Sequence, residues 1–171
     1  INDLHGKTLG IIGKGSIGMK VGRIAKAFGM NINYFSVRNY KKTQFLKFLS
    51  SLDYLSIHCP LNEKTKDLIT IKELKIMKKN MILINTARGG IVNENDLAKA
   101  LKQKIIAGAG IDVTTSEPPK KSHAYYSILN EANFIWTPHT AWASNETLQE
   151  AINQLIKNIN SFYKGRKRNI V

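Results

Sequence analysis

Short apolar runs alternate with amphipathic segments along the chain, and this alternation restricts the fold more than any other feature. The apolar runs are 8–13 (TLGIIG), 31–36 (NINYFS), 53–60 (DYLSIHCP), 81–87 (MILINTA), 107–113 (AGAGIDV) and 133–138 (NFIWTP). Between and after them lie segments with apolar residues at helical spacing: 16–29, 43–51, 70–79, 93–103 and 144–165. In the first of these, Ile17, Val21, Ile24, Ala25 and Phe28 form the apolar face and Gly29 stops the helix. Thr70, Asn93 and Ser144 stand where helix caps belong. MILINTA is apolar nearly throughout, as a strand covered on both faces should be. Strands alternating with helices imply a parallel sheet, and right-handed crossovers make it doubly wound. The expected fold is therefore α/β, a doubly wound parallel sheet of Rossmann type with helices on both faces. No repeat or internal linker interrupts it, so residues 1–171 read as one domain. Ligands in such folds bind beyond the carboxyl ends of the strands, so the residues just after each strand carry the functional information.

Bulk properties narrow the class. The chain has 171 residues, 43% of them hydrophobic, and no apolar run of about 18 or more that could span a membrane. Its single cysteine, Cys59, excludes an internal disulfide and fits a reducing, cytoplasmic setting. The formal charge of +14 comes mostly from lysines scattered along the chain. A nucleic-acid footprint would cluster them, so nucleic acid is set aside as a partner, and a field attracting small anions is the simpler consequence. No metal site is expected.

The first junction, GKGSIG, places Gly13, Gly15 and Gly18 in G-x-G-x-x-G spacing between a strand and a helix. Gly13 permits the tight turn, Gly15 lets a pyrophosphate approach the backbone, and Gly18 lets the helix pack on the strand. The amides of Ser16 and Ile17 would meet phosphate at the positive end of the helix. A P-loop is excluded, because Lys14 precedes a glycine where serine or threonine is required.

A site for NAD usually carries an acid after the second strand, to hold the ribose hydroxyls. Here that place falls at Ser36, followed by Arg38, Lys41 and Lys42. An acid would repel a 2′-phosphate, whereas arginine attracts one. The cofactor expected is NAD(H) or NADP(H), leaning to NADP(H).

Three later strand ends carry chemistry. Arg88 could grip a carboxylate through two parallel hydrogen bonds, with Gly89 and Gly90 leaving room for a ligand to approach. Asp112 stands near the end of the fifth run, and Glu117 follows, pinned by Pro118 and Pro119. His139 follows the sixth run, and histidine as a residue type is the usual acid–base group near neutral pH.

With these residues in order, GKGSIG, HCPLNEKT, NTARGG, GIDVTTSEP and TPHTAWAS resemble the D-isomer-specific 2-hydroxyacid dehydrogenases over essentially the whole chain. TPHTAWAS is similar to glycerate dehydrogenases that act as hydroxypyruvate or glyoxylate reductases. The resemblance implies that His139 protonates the carbonyl oxygen of a small anionic 2-oxo acid. It implies that Glu117 orients His139 and that Arg88 binds the substrate carboxylate. Asp112 would sit near the nicotinamide amide. His58, Cys59 and Pro60 of the HCPL loop, with Thr65, Thr86, Ala87 and Ala141, would line the cofactor. Two departures follow. The acid after the second strand is missing, and Val37 separates Ser36 from Arg38 where some NADPH-using relatives have Ser-Arg. Family members also carry a substrate domain, built mainly from residues preceding this one and expected to lie outside this chain, which by itself would turn over poorly. A second reading is a dinucleotide-sensing interaction protein, similar to the corepressors that share this fold. The resemblance also implies a homodimer through this domain, for which 123–136 (HAYYSILNEANFIW) offers aromatic surface, the other reading of these aromatics being core of the domain itself.

Overall fold

The computed structural model describes residues 3–39 and 41–170, which fall into two compact units, Ile1–Pro138 and His139–Val171. The first unit holds strands β1 (Thr8–Ile12), β2 (Asn31–Phe35), β3 (Tyr54–Ile57), β4 (Ile82–Asn85), β5 (Gly108–Ile111) and β6 (Phe134–Trp136). Its helices are α1 (Ser16–Ala27), α2 (Lys42–Ser50), α3 (Ile71–Leu74) and α4 (Glu94–Lys102). The strands form one six-stranded sheet in the order β2-β1-β3-β4-β5-β6. Every pairing is parallel. The doubly wound arrangement expected from the sequence is present. The chain builds outward from β1 to β2, then returns to the other side of β1 for β3, which is a topological switch point.

The core explains the strand pattern. Ile11, Ile12, Leu55, Ile57 and Leu83 are fully enclosed, and α2 covers part of the sheet with Phe45 and Leu49. Burying a side chain of this size stabilises by about 1.5–3 kcal/mol. Asn93 caps α4 by accepting from the amide of Asp96 at 3.1 Å. Thr70 opens α3, its amide and hydroxyl both donating to the Glu73 carboxylate, at 3.1 and 2.6 Å.

Three local expectations hold only in part. Of the apolar face read for α1, Ala25 is buried and Val21 packs against the core, but the rest is not. Ile17, Ile24 and Phe28 are more than half exposed, while Gly18, Gly22 and Ala25 face the sheet. The helix lies so close that a Cβ on Gly18 would stand 2.1 Å from the Gly13 carbonyl oxygen, and one on Gly22 2.1 Å from the Tyr34 hydroxyl. Only small residues fit that approach. The helix expected over 70–79 shortens to α3, because Ile76 and Met77 bond three residues back and turn the chain inward to the buried Met81. The aromatic segment 123–136 is divided: Tyr125, Ile128 and Phe134 are buried, whereas Tyr126, Leu129 and Ile135 face outward.

In the second unit, α5 (Asn145–Tyr163) is capped by Ser144, whose hydroxyl accepts from the amide of Thr147 at 3.2 Å. The segment after it folds back on α5 through Arg168, whose guanidinium donates to Asn158 at 3.0 Å and also to Gln154. No described helix is long and apolar enough to cross a membrane.

Candidate dinucleotide and catalytic site

The last residues of all the strands stand in one row: Phe35, Ile12, Ile57, Asn85, Ile111 and Trp136 are paired from one strand to the next. Consequently Ser36, Gly13, His58, Thr86, Asp112 and Thr137 leave the sheet at one level. Cross-strand bonds extend the alignment, from the amides of Gly13 to Phe35, His58 to Ile12, Asp112 to Asn85 and Thr137 to Ile111. Residues dispersed over more than a hundred positions thus share one edge.

At the head of this edge Gly13 has φ +101°, which favours glycine, and a Cβ there would strike the His58 carbonyl oxygen at 2.5 Å. Gly18 is pressed against the loop in the same way. Gly15 differs, because nothing lies within 4 Å of where its Cβ would be. The fold therefore does not require glycine at 15, and the open space suits a bulky group against the main chain. Gly15 caps α1 without a side-chain hydrogen bond, and no acid occupies the first turn. The opening amides of a helix have no acceptors within it, so those of Ser16 and Ile17 suit an anion. These features fit a dinucleotide pyrophosphate.

Beyond β2, Val37–Asn39 forms a short 3₁₀ turn. The exposed Ser36 accepts from the Arg38 amide at 3.4 Å, and Val37 packs against the core. The intervening valine does not remove Arg38 from the neighbourhood. A cavity of about 460 Å³ is lined by Val37, Arg38, Asn62, Glu63 and Lys64.

Beyond β3, His58 is half-buried, its Nε2 2.8 Å from the hydroxyl of buried Ser56. Burial lowers its pKa, favouring the neutral ring. Burial likewise pushes the Cys59 thiol up to about 11, so it stays protonated. Pro60 is exposed. Thr65 is completely buried; its hydroxyl donates to the Pro60 carbonyl at 2.7 Å and accepts from the Asn62 amide at 2.8 Å. Its contribution is the shape of the 60–65 loop rather than a surface offered to a ligand.

Beyond β4, exposed Thr86 and half-buried Ala87 lead to exposed Arg88, whose guanidinium donates to the Ala87 carbonyl at 2.7 Å. The buried side chain of Asn85 holds this turn, accepting from the Ala87 amide at 3.0 Å and donating to the Arg88 carbonyl at 2.9 Å. The role read for Gly89 is corrected. It is buried, and a Cβ there would lie 2.0 Å from the main chain of Thr114. This glycine admits the loop after β5, not a ligand. That contact brings the Arg88 loop against the turn carrying Glu117, whose carboxylate accepts from the Thr114 amide at 3.0 Å. Asp112 is buried and accepts from the Thr137 hydroxyl, joining the ends of β5 and β6.

His139 and Ala141 fall in the second unit. His139 is half-buried with a left-handed backbone, φ 55°, while Ala141 is exposed. Sequence reading passed over Ser56, Asn85 and Thr137. The first two carried a signal, since each is a polar residue inside an otherwise apolar run.

Comparison with known proteins agrees with this geometry. The family model for the D-isomer specific 2-hydroxyacid dehydrogenase, NAD binding domain, matches residues 1–141. A glycerate dehydrogenase of Methylorubrum extorquens is 43% identical, covering 100% of this chain and 54% of the relative. A glyoxylate reductase of Thermococcus litoralis is 40% identical over 95% of this chain and 50% of its own length. Among solved structures, a D-isomer specific 2-hydroxyacid dehydrogenase from Lactobacillus delbrueckii ssp. bulgaricus, in its NAD complexed form, aligns with TM-score 0.88 and 30% identity. It covers 98% of this chain and 56% of that one. The chain spans about half the length of the curated relatives it matches.

Proposed function

The chain belongs to the D-isomer specific 2-hydroxyacid dehydrogenase family, and from that premise we propose that it is the cofactor-binding half of an oxidoreductase acting on a small 2-oxo or 2-hydroxy acid. Glyoxylate, after the name of one relative, and hydroxypyruvate, the 2-oxo counterpart of the glycerate named in another, are the substrates proposed. The observation that carries this reading is the common edge of strand ends, with open space at Gly15 at its head and Arg88, Asp112 and Glu117 along it. A substrate domain outside this chain would complete the cleft.

When bound, a reduced nicotinamide supplies the hydride. The chain's residues answer the charge that grows on the substrate oxygen. Arg88, on a turn held by Asn85, would grip the carboxylate and polarise the carbonyl. His139, two residues beyond Thr137 in the sequence, would donate the proton, and Glu117 would orient it. Asp112, anchored by Thr137, would receive the carboxamide end of the cofactor. Ser36 offers no charge against a 2′-phosphate, and Arg38 supports NADP(H) over NAD(H). A homodimer through the first unit finds support in the outward Tyr126, Leu129 and Ile135.

The test uses a protein of the relatives' full length that contains this chain, following nicotinamide absorbance with glyoxylate and hydroxypyruvate. His139→Ala should lower kcat by a factor on the order of 10²–10⁴. Equal turnover by the variant would remove His139 from the chemistry.

A further inference from the structure

We propose that Lys64 acts with Arg38 to recognise a 2′-phosphate on the adenosine ribose, making it a specificity residue supplied by the β3 loop. This rests on the cofactor reading above. The cavity of about 460 Å³ is walled by two segments, Val37–Arg38 after β2 and Asn62–Lys64 after β3. Those strands flank β1, whose own end carries the glycine loop. The volume falls within the range of small-ligand sites.

Both walls are braced. The amide of Lys64 donates to the Asn62 side chain at 3.0 Å, and the amides of Thr65 and Lys66 donate to the Asn62 carbonyl at 3.0 and 2.8 Å. Buried Thr65 ties the same turn to Pro60 at 2.7 Å. On the other wall, Val37 is packed on the core and Arg38 is tethered to Ser36. Glu63 and Lys64 are therefore presented by a set backbone rather than a loose loop.

A phosphate dianion gains most where a forked guanidinium and a compact ammonium approach it from different sides. Arg38 and Lys64 bring these two groups to the lining of one cavity, and Ser36 adds no opposing charge. A free 2′-hydroxyl would gain little from Lys64. Glu63 is the counterweight, because its carboxylate opposes a phosphate and suits a hydroxyl. Preference then depends on three side chains from two strand ends.

Calorimetric titration of NADPH and NADH into wild type, K64A, K64R and E63Q separates these roles. K64A should weaken NADPH about tenfold and leave NADH within about twofold, and K64R should restore NADPH binding. E63Q should tighten NADPH by about threefold or more. An unchanged NADPH-to-NADH affinity ratio in K64A, or wild-type binding of NADH but not NADPH, would overturn the assignment of Lys64 alone. Wild-type binding of neither nucleotide would overturn the cofactor reading and this inference with it.

Discussion

The side-chain amide of Asn85 donates to the main-chain carbonyl of Arg88 at 2.9 Å, so the residue that closes β4 also shapes the turn presenting the arginine. The same side chain accepts from the Ala87 amide at 3.0 Å while only 2% exposed. Asn85→Ala would leave main-chain groups of that turn without these partners. The expected loss is about 1–3 kcal/mol, read as a lower urea midpoint at unchanged slope. A loss below about 0.5 kcal/mol would mean that the turn is held by something other than Asn85.

Gly15 and Gly89 should behave oppositely although both sit in glycine-rich loops. A Cβ at Gly89 meets the Thr114 main chain at 2.0 Å, whereas one at Gly15 meets nothing within 4 Å. Gly89→Ala should destabilise by about 1–3 kcal/mol or more, because backbone cannot yield as a side chain can. Gly15→Ala should keep its thermal midpoint and lose dinucleotide affinity. If both variants melted early, the open space at Gly15 would not be a ligand space.

Acid should destabilise the fold through His58. Its folded pKa lies below the ordinary 6.5 because burial disfavours the charged ring. The unfolded chain takes up the proton first as pH falls, so this contribution is intact above about 6.5 and is lost as pH falls through the folded pKa. Urea denaturation between about pH 7 and pH 5 should show a shallower stability loss in His58→Asn than in wild type. Identical slopes would remove His58 as the titrating group.

Cys59 should be slow to react although it stands beside the proposed cofactor surface. Burial raises its thiol from 9.0 to about 11. At pH 7–8 the folded protein would hold about a hundredfold less thiolate than the unfolded chain. Modification by a thiol reagent should be slow in buffer and fast in urea. Rapid labelling of the folded protein would contradict the burial.

Much of this architecture is legible in sequence because strand alternation and caps are local. Thr70, Asn93 and Ser144 cap as their types predict. What misleads is packing that depends on neighbours distant in the chain. Ile17, Ile24 and Phe28 look like a core face, yet the sheet takes the glycine stripe of α1, because close helix–strand approach excludes larger residues. The space beside Gly89 is legible only once β4 and β5 are known to be adjacent. Asn85 was within reach, as the polar end of ILIN. The cavity that Arg38 and Lys64 both line was not, since it needs the loops of β2 and β3 to face one space.

The strand-end edge headed by Gly13 and Gly15 should bind a nicotinamide dinucleotide. Isothermal titration of NADPH and NADH into this chain tests it most directly. Saturable one-site binding of at least one of them, abolished by a side chain larger than alanine at Gly15, is the predicted result. No binding of either at millimolar concentration by a folded chain would contradict it.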